Sequence, residues 1–245
     1  MQHWYSRLLP RSARSLAWLG ILIVFAICFL DLFGWVFNIP LLRSIELQWI
    51  PMKVTAAICL VLLAIELTFL RNNSTGPHKH RIVLQAPGIV VCLVGLLTII
   101  LYAITMTTGK EVSLGSTLFR DLFWAPATRM SLLTAVLFFV TGSVLTLLAA
   151  GSRRAANIAH AVMAPAIMAS YLVPVTYLLG VQDLHESLNV PVALNTGICF
   201  CALGVAVFCV RTDTWLMKVF TSDHAGGLMA RRLLPGLLMI PLVIG

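Results

Sequence analysis

Acidic side chains are scarce in this chain: nine Asp and Glu among 245 residues, with charged residues of both signs making up only 11%. Soluble domains carry about 25%, so a globule of this length could not be given a charged shell, and a soluble fold is excluded. Histidine is thinly spread. Of the six, only His160 falls inside or beside an apolar segment, while His78, His80 and His185 lie in polar stretches between segments. Metal or haem ligation needs converging imidazoles or thiolates, so no cofactor is expected. The cysteines do not fill that gap. Cys28, Cys59, Cys92, Cys199, Cys201 and Cys209 all sit within apolar runs, where cysteine behaves as a small hydrophobe rather than as part of a disulfide framework. On a helix Cys199 and Cys201 point about 200° apart and cannot chelate together.

Catalytic motifs are missing too. Gly142-Ser143 runs into Val144-Leu145 with no histidine at matching depth, so it reads as small residues for close helix packing rather than as a nucleophile. Gly226-Gly227 precede Arg231-Arg232, but no strand leads into them, which removes a dinucleotide loop. Enzymatic activity is not expected. The chain does carry excess positive charge, 17 Lys and Arg for a net +8. These residues flank apolar segments instead of forming one stripe, which excludes nucleic acid as a partner and points to orientation signals.

What the sequence has in abundance is long apolar runs. Stretches of roughly 20 apolar residues cross a ~30 Å hydrocarbon core as helices, because only helices and closed barrels satisfy their own backbone there. Such runs occur near Leu16–Phe37, Met52–Leu70, Ala86–Thr107, Met130–Ala150, Ile158–Gly180 and Val190–Val210, with a seventh from Leu233 to Gly245. The first follows Arg7, Arg11 and Arg14, is too long for a signal-peptide core and lacks a small-x-small cleavage site. It is expected to be a retained span. The seventh would rise only about 20 Å at ~1.5 Å per residue, short of a crossing.

Alternate connections differ in charge. Arg7, Arg11, Arg14, Arg71, Lys79, Arg81, Arg153, Arg154, Arg211, Lys218, Arg231 and Arg232 make twelve basic residues on one side; Arg43, Lys53, Lys110, Arg120 and Arg129 make five on the other. The excess predicts a cytoplasmic N-terminus in a bacterial inner membrane. The connections also repeat. Leu42-Arg43-Ser44-Ile45 and Trp49-Ile50-Pro51 precede Met52 and Thr55-Ala56; Phe119-Arg120-Asp121-Leu122 and Trp124-Ala125-Pro126 precede Met130 and Thr134-Ala135. Leu184-His185-Glu186-Ser187-Leu188 and Pro191 before Thr196-Gly197 form a looser third copy. The fold expected is all-α and polytopic: a single integral-membrane domain over residues 1–245, with six spans in three parallel helical hairpins, about 16–70, 86–150 and 158–210. An incomplete seventh span, in a fourth hairpin opening at 231–245, is expected to lack its return.

Ionisable residues within spans are candidates for function because charge is costly in lipid. Asp31 lies two-thirds along the first run, and Glu66 one turn before Arg71 near the inner end of the second. Both are expected to reach water or a nearby Arg. Pro165 and Pro174 interrupt the fifth run, and Pro235 and Pro241 the seventh, each removing a backbone donor. The outer side offers the recognition candidates Arg43 and Arg120, beside Trp49 and Trp124, with Thr55, Thr134, Asn195 and Thr196 opening the returning helices. These either ring an outward pocket or lie at the interface, the tryptophans anchoring and the arginines binding lipid phosphate.

The residues Phe37-Asn38-Ile39-Pro40-Leu41-Leu42-Arg43-Ser44-Ile45 with Met52-Lys53, Arg129-Met130-Ser131, Pro191-Val192-Ala193-Leu194-Asn195-Thr196, and Gly226-Gly227-Leu228-Met229-Ala230-Arg231-Arg232-Leu233-Leu234-Pro235 together carry a resemblance. The chain resembles the multi-span N-terminal sensory region of bacterial histidine kinases and related PAS- or GGDEF-containing signalling proteins. The last motif, with Gly226, Gly227, Arg231, Arg232 and Pro235, is the most specific. The resemblance implies an input module of eight spans followed by a cytoplasmic helix and signalling domains. Two departures stand out: Val54 and Leu133 replace the Asn that precedes the Thr of each returning helix, leaving only Asn195, and no output domain lies within the chain. The function expected is therefore a membrane sensory input module, or a remnant of one, with the lipid bilayer, a second copy in a homodimer and a cytoplasmic output domain as partners. A small membrane transporter or channel is the alternative.

Overall fold

The computed structural model describes residues 2–44, 49–72, 81–108, 130–180 and 192–221, together with 227 and 229. Those residues form helices α1 (Gln2–Val36), α2 (Pro40–Arg43), α3 (Val54–Asn72), α4 (Arg81–Thr108), α5 (Leu132–Ala149), α6 (Arg153–Leu178), α7 (Leu194–Val210) and α8 (Trp215–Thr221). No strand occurs among them. Among the described residues five helices are long and apolar enough to cross a membrane, over Ala13–Val36, Val54–Asn72, Leu84–Thr108, Leu132–Ala149 and Arg153–Leu178. The sixth apolar helix, α7, has 17 residues and spans about 25 Å at ~1.5 Å per residue. It starts four residues later than the hydropathy suggests because Ala193 is extended (φ −65°, ψ 140°). The seventh apolar run lies outside the described residues, as does the fourth hairpin.

Local chemistry sets the boundaries. Ser131 caps α5 by accepting from the Thr134 amide at 3.3 Å, and Ser152 caps α6 through the Ala155 amide at 3.0 Å. The end of α1 is a left-handed turn at Asn38 (φ 55°). There Ile39 N–H returns to the Gly34 carbonyl at 2.9 Å and Phe37 N–H to Phe33 at 3.0 Å, closing orphan carbonyls around an apolar Ile39. Gly180 (φ 67°) ends α6 in the same region of backbone space. Pro165 and Pro174 lie inside α6, yet the helix continues through both. A proline's φ is already helical, so the cost is a missing donor rather than a break.

The helices pack in two layers. The returning helices α3, α5 and α7 touch one another, and each leading helix lies against two of them: α1 on α7 and α3, α4 on α3 and α5, α6 on α5 and α7. The core therefore sits between three inner helices, and the outward faces of the leading helices are apolar, as at Leu19, Leu22, Phe29 and Leu30 of α1 or Leu93, Leu96 and Ile100 of α4. Such surfaces suit lipid. Lipid tails are as apolar as leucine, so close packing by small residues supplies much of the cohesion. A β-carbon on Gly142 would come within 2.7 Å of the Gly88 carbonyl and 2.8 Å of the Cys92 amide, and one on Gly95 within 2.6 Å of the Phe139 amide. Here α4 and α5 approach backbone to backbone.

Among the described helices the packing recurs along the chain, residue by residue. The first bonds of the returning helices run Ala57 to Lys53 (3.0 Å), Ala135 to Ser131 (3.0 Å) and Gly197 to Ala193 (3.1 Å), which makes Met52, Met130 and Val192 equivalent. In that register Cys59, Leu137 and Cys199 are buried together, as are Leu60, Phe138 and Phe200, then Leu63, Thr141 and Leu203, then Ala64, Gly142 and Gly204. The leading helices obey the same rule: Ile21, Val24 and Cys28 correspond to Gly88, Val91 and Gly95 and to Met163, Ala166 and Ser170, all buried. Aligning the copies on their threonines instead shifts the first by one residue. Thr55 is the counterpart of Leu133 and Asn195, whereas Ala56 is the counterpart of Thr134 and Thr196. Register follows from helix start and buried face, which residue identity at one position does not report.

Candidate functional site

At the ends of the hairpins facing the interhelical connections, one bond recurs in all three copies. Trp35 Nε1 donates to the Met52 carbonyl at 3.0 Å, the Tyr102 hydroxyl to Met130 at 2.9 Å and the Tyr177 hydroxyl to Val192 at 2.9 Å. Each joins the last turns of a leading helix to the chain entering its returning helix. Aromatic residues with a polar tip suit a membrane interface, and their position near the end of each leading run is the signal by which they could have been found. The third latch is reinforced from the first copy: Trp49 packs edge-on against Tyr177 with ring centroids 5.1 Å apart.

The sequence candidates fall around these latches. Arg43 donates through Nε to the Gly34 carbonyl at 3.0 Å and through Nη2 to Asn38 Oδ1 at 2.6 Å, and its guanidinium lies 4.3 Å from the Trp35 ring centre. It closes the C-terminus of α1, where a cation also complements the helix dipole. The sequence did not suggest this role. Thr55, Thr134 and Thr196 are buried and Asn195 is half-buried; Thr134 Oγ1 pairs with Ser131 Oγ at 2.8 Å. Arg120 and Trp124 lie outside the described residues. Of the other motif, Gly227 is buried in helical backbone, and Gly226, Arg231, Arg232 and Pro235 lie outside the described residues.

The buried acids differ from expectation. Asp31 and Glu66 are both fully buried, and none of their four carboxyl oxygens has a hydrogen-bond partner. Neither carboxyl group has an Arg within ion-pair distance, although the Arg43 guanidinium is near enough to act electrostatically on Asp31. Asp31 lies between α1 and α7, with Cys28 and Cys199 beside it. Glu66 lies in α3, its carboxyl group directly against Gly88 of α4. Arg71, one turn on, is stacked over Trp18 at 4.2 Å instead. Helix-face geometry explains the difference: both acids fall on the stripe that meets a neighbouring helix, a property invisible in a window average.

At the opposite end, His160 is fully buried with Nδ1 bonded to Thr214 Oγ1 at 2.8 Å and its ring against Phe208 at 4.7 Å. The sequence suggested an interfacial residue; the fold instead makes it a tie between α6 and the α7–α8 turn, supported by Asn157 Oδ1 accepting from the Trp215 amide at 3.1 Å. That turn carries a forked pair, Arg211 Nε and Nη2 to the two Asp213 oxygens at 2.9 and 3.0 Å. The bonded guanidinium holds the Asp213 carboxyl below the usual carboxylate range. Among the described residues no group of three or more His, Cys, Asp or Glu converges as a metal site. Comparison of the chain with family models, curated proteins and solved structures gives no match.

Proposed function

We propose that the chain is a membrane-embedded sensory input module of a bacterial signal-transduction protein, a sensor histidine kinase in the first instance. In this reading six helices cross the inner membrane as three parallel hairpins, with the N-terminus cytoplasmic, and an output domain and a second copy are its partners. Support comes from the motifs that resemble such input regions and from one packing observation. The three equivalent positions Leu60, Phe138 and Phe200 of the inner helices are all fully buried, large and apolar, and the two phenyl rings meet edge-on at 4.9 Å. A passage for solutes would need polar lining there; a packed core suits a module that passes on shifts in helix packing.

A signal at the outer latches or at the lipid face would re-seat a leading helix in its groove and move the α7–α8 turn tied through His160. The alternative, a small transporter or channel, draws on the unpartnered carboxyl groups of Asp31 and Glu66. One pair of experiments separates them. The chain fused to a histidine-kinase output domain should give autophosphorylation that changes with Trp35→Phe or Tyr177→Phe, while vesicles holding the chain alone should show no solute or ion flux above empty vesicles. Flux from the chain, with kinase output indifferent to both latches, would favour the transporter.

A further inference from the structure

Two arginines meet at one end of the first hairpin with no acid between them. Arg14 is the second residue of the apolar stretch Ala13–Val36 and Arg71 the last but one of Val54–Asn72, so each stands at the end of its span. The Arg71 guanidinium lies 4.2 Å from the Trp18 ring centre. Trp18 follows Arg14 by four residues on α1, which places the two on one helix face, and Arg14 is near enough to act electrostatically on Arg71. Arg14 and Trp18 are exposed; Arg71 is half-buried, its Nε shielded and without an acceptor among the described residues. Of the acids described, Asp213 is taken by Arg211, Glu66 is turned toward Gly88 of α4, and Asp31 lies toward the far end of α1.

The register of the repeats sharpens the point. Arg71 is the counterpart of Arg211, whose guanidinium is held in a fork by Asp213. The residue in the place of Asp213 is Asn73, a neutral amide, and the one in the place of Arg14 in the third copy is Ala156. The first copy therefore keeps the cation, adds a second and loses the acid. An anion from outside the chain fits that deficit. Guanidinium groups match phosphate oxygens in geometry and stack on indole rings at no loss of charge. From Trp18 the exposed Leu19 and Leu22 continue along α1, so the charged seat runs directly into an apolar bed. We infer that Arg14, Trp18 and Arg71 bind the phosphate of an anionic phospholipid whose acyl chain lies along α1 at Leu19 and Leu22. The continuity of charged and apolar surface selects a lipid over free phosphate. Bound there, the headgroup neutralises two like charges and ties the end of α1 to that of α3. This inference stands apart from the sensory reading.

The test is thermal unfolding of the intact 245-residue chain in an uncharged detergent at low ionic strength, titrated with dioleoyl phosphatidylglycerol, dioleoyl phosphatidylcholine or sodium phosphate. Phosphatidylglycerol should raise the melting temperature saturably, by ~3–6 °C at roughly tenfold above its half-saturating mole fraction, and the other two should not. Arg14→Gln and Arg71→Gln should each weaken the apparent affinity for phosphatidylglycerol about fivefold. Replacing Arg153 and Arg154 of α6 by Gln should leave it intact. Equal shifts from the two lipids overturn the inference, as does a shift that inorganic phosphate reproduces, one that survives both Arg14→Gln and Arg71→Gln, or one that the α6 replacements diminish as much. Arg14 is exposed, so should Arg71→Gln fail to fold, the Arg14→Gln titration decides. No output domain is involved, so a failure here leaves the sensory proposal standing.

Discussion

The indole N–H of Trp35 donates to the main-chain carbonyl of Met52 at 3.0 Å, and the same relationship links Tyr102 to Met130 and Tyr177 to Val192. Three copies of one bond, made by two kinds of aromatic residue, show that the repeat preserves a fastening rather than a residue.

Removing the fastening donors should therefore destabilise all three hairpins, but unequally. The bond of Tyr177 is buried at both ends, whereas Trp35 and Tyr102 are themselves partly exposed, so water reaches the vacated acceptor least readily in Tyr177→Phe. Tyr177→Phe is expected to cost about 1–3 kcal/mol and Tyr102→Phe about 0.5–1.5. Melting in detergent checks the order; equal losses would mean that burial does not set the cost.

Glycines at the α4–α5 contact should be the least replaceable small residues. A β-carbon on Gly142 meets main-chain atoms at 2.7 and 2.8 Å, whereas one on Gly204 meets only side-chain atoms of Ile167 and Met163. Backbones cannot step aside as side chains can. Gly142→Ala should thus cost at least the ~1–3 kcal/mol of overpacking and Gly204→Ala less. Unfolding of the two variants in the same detergent compares them directly.

Much of this architecture is legible in the sequence, and the misses have physical causes. Helices α1, α3, α4, α5 and α6 follow the apolar runs because length and hydropathy are properties of a segment on its own. The repeat is legible from Arg43 with Trp49 and Arg120 with Trp124, but its register is not, since Thr55 matches Thr134 in name and Asn195 in place. Arg43 illustrates a second limit: its position beyond α1 is readable, while its bond to Gly34 depends on the turn that Asn38 makes. Asp31 and Glu66 show a third. Their depth is evident from the sequence, but which helix each one faces is decided only by tertiary packing.

Acid should loosen the turn between α7 and α8. Because Arg211 holds the Asp213 carboxyl below its ordinary range, the pair contributes stability that is fully present above the unfolded-state value, about 3.9, and lost as pH falls below it through the lowered one. The pair is solvent-exposed on the Asp213 side, so its contribution is that of a surface bridge, about 0.2–1 kcal/mol, and high salt should reduce it. Asp213→Asn should flatten this part of the stability curve between about pH 5 and pH 2. Hydrogen exchange at the Trp215 amide, which bonds to Asn157, offers a local readout of the same loss.

Orientation gives the most direct test of the proposed placement in the membrane. Twelve Lys and Arg fall on one set of connections and five on the other, and the stretch from Gly180 to Pro191 holds none, only Asp183 and Glu186. Positive charge near the ends of spans is retained on the cytoplasmic side, and short connections obey this most strictly. Reporter fusions after Pro77, Ser152 and Asp223 should therefore behave as cytoplasmic, and fusions after Leu47, Ser116 and Glu186 as external. The position after Glu186 is decisive because it tests α7, whose 17 residues reach about 25 Å and cross only with help from the chain before Leu194 or from local thinning of the bilayer. A cytoplasmic reporter at Glu186 would leave α6 and α7 unable to form a crossing hairpin, and the three-hairpin arrangement would have to be abandoned. Replacing Arg153 and Arg154 by Gln should weaken the bias at Ser152 specifically, since those two charges are the nearest to the start of α6.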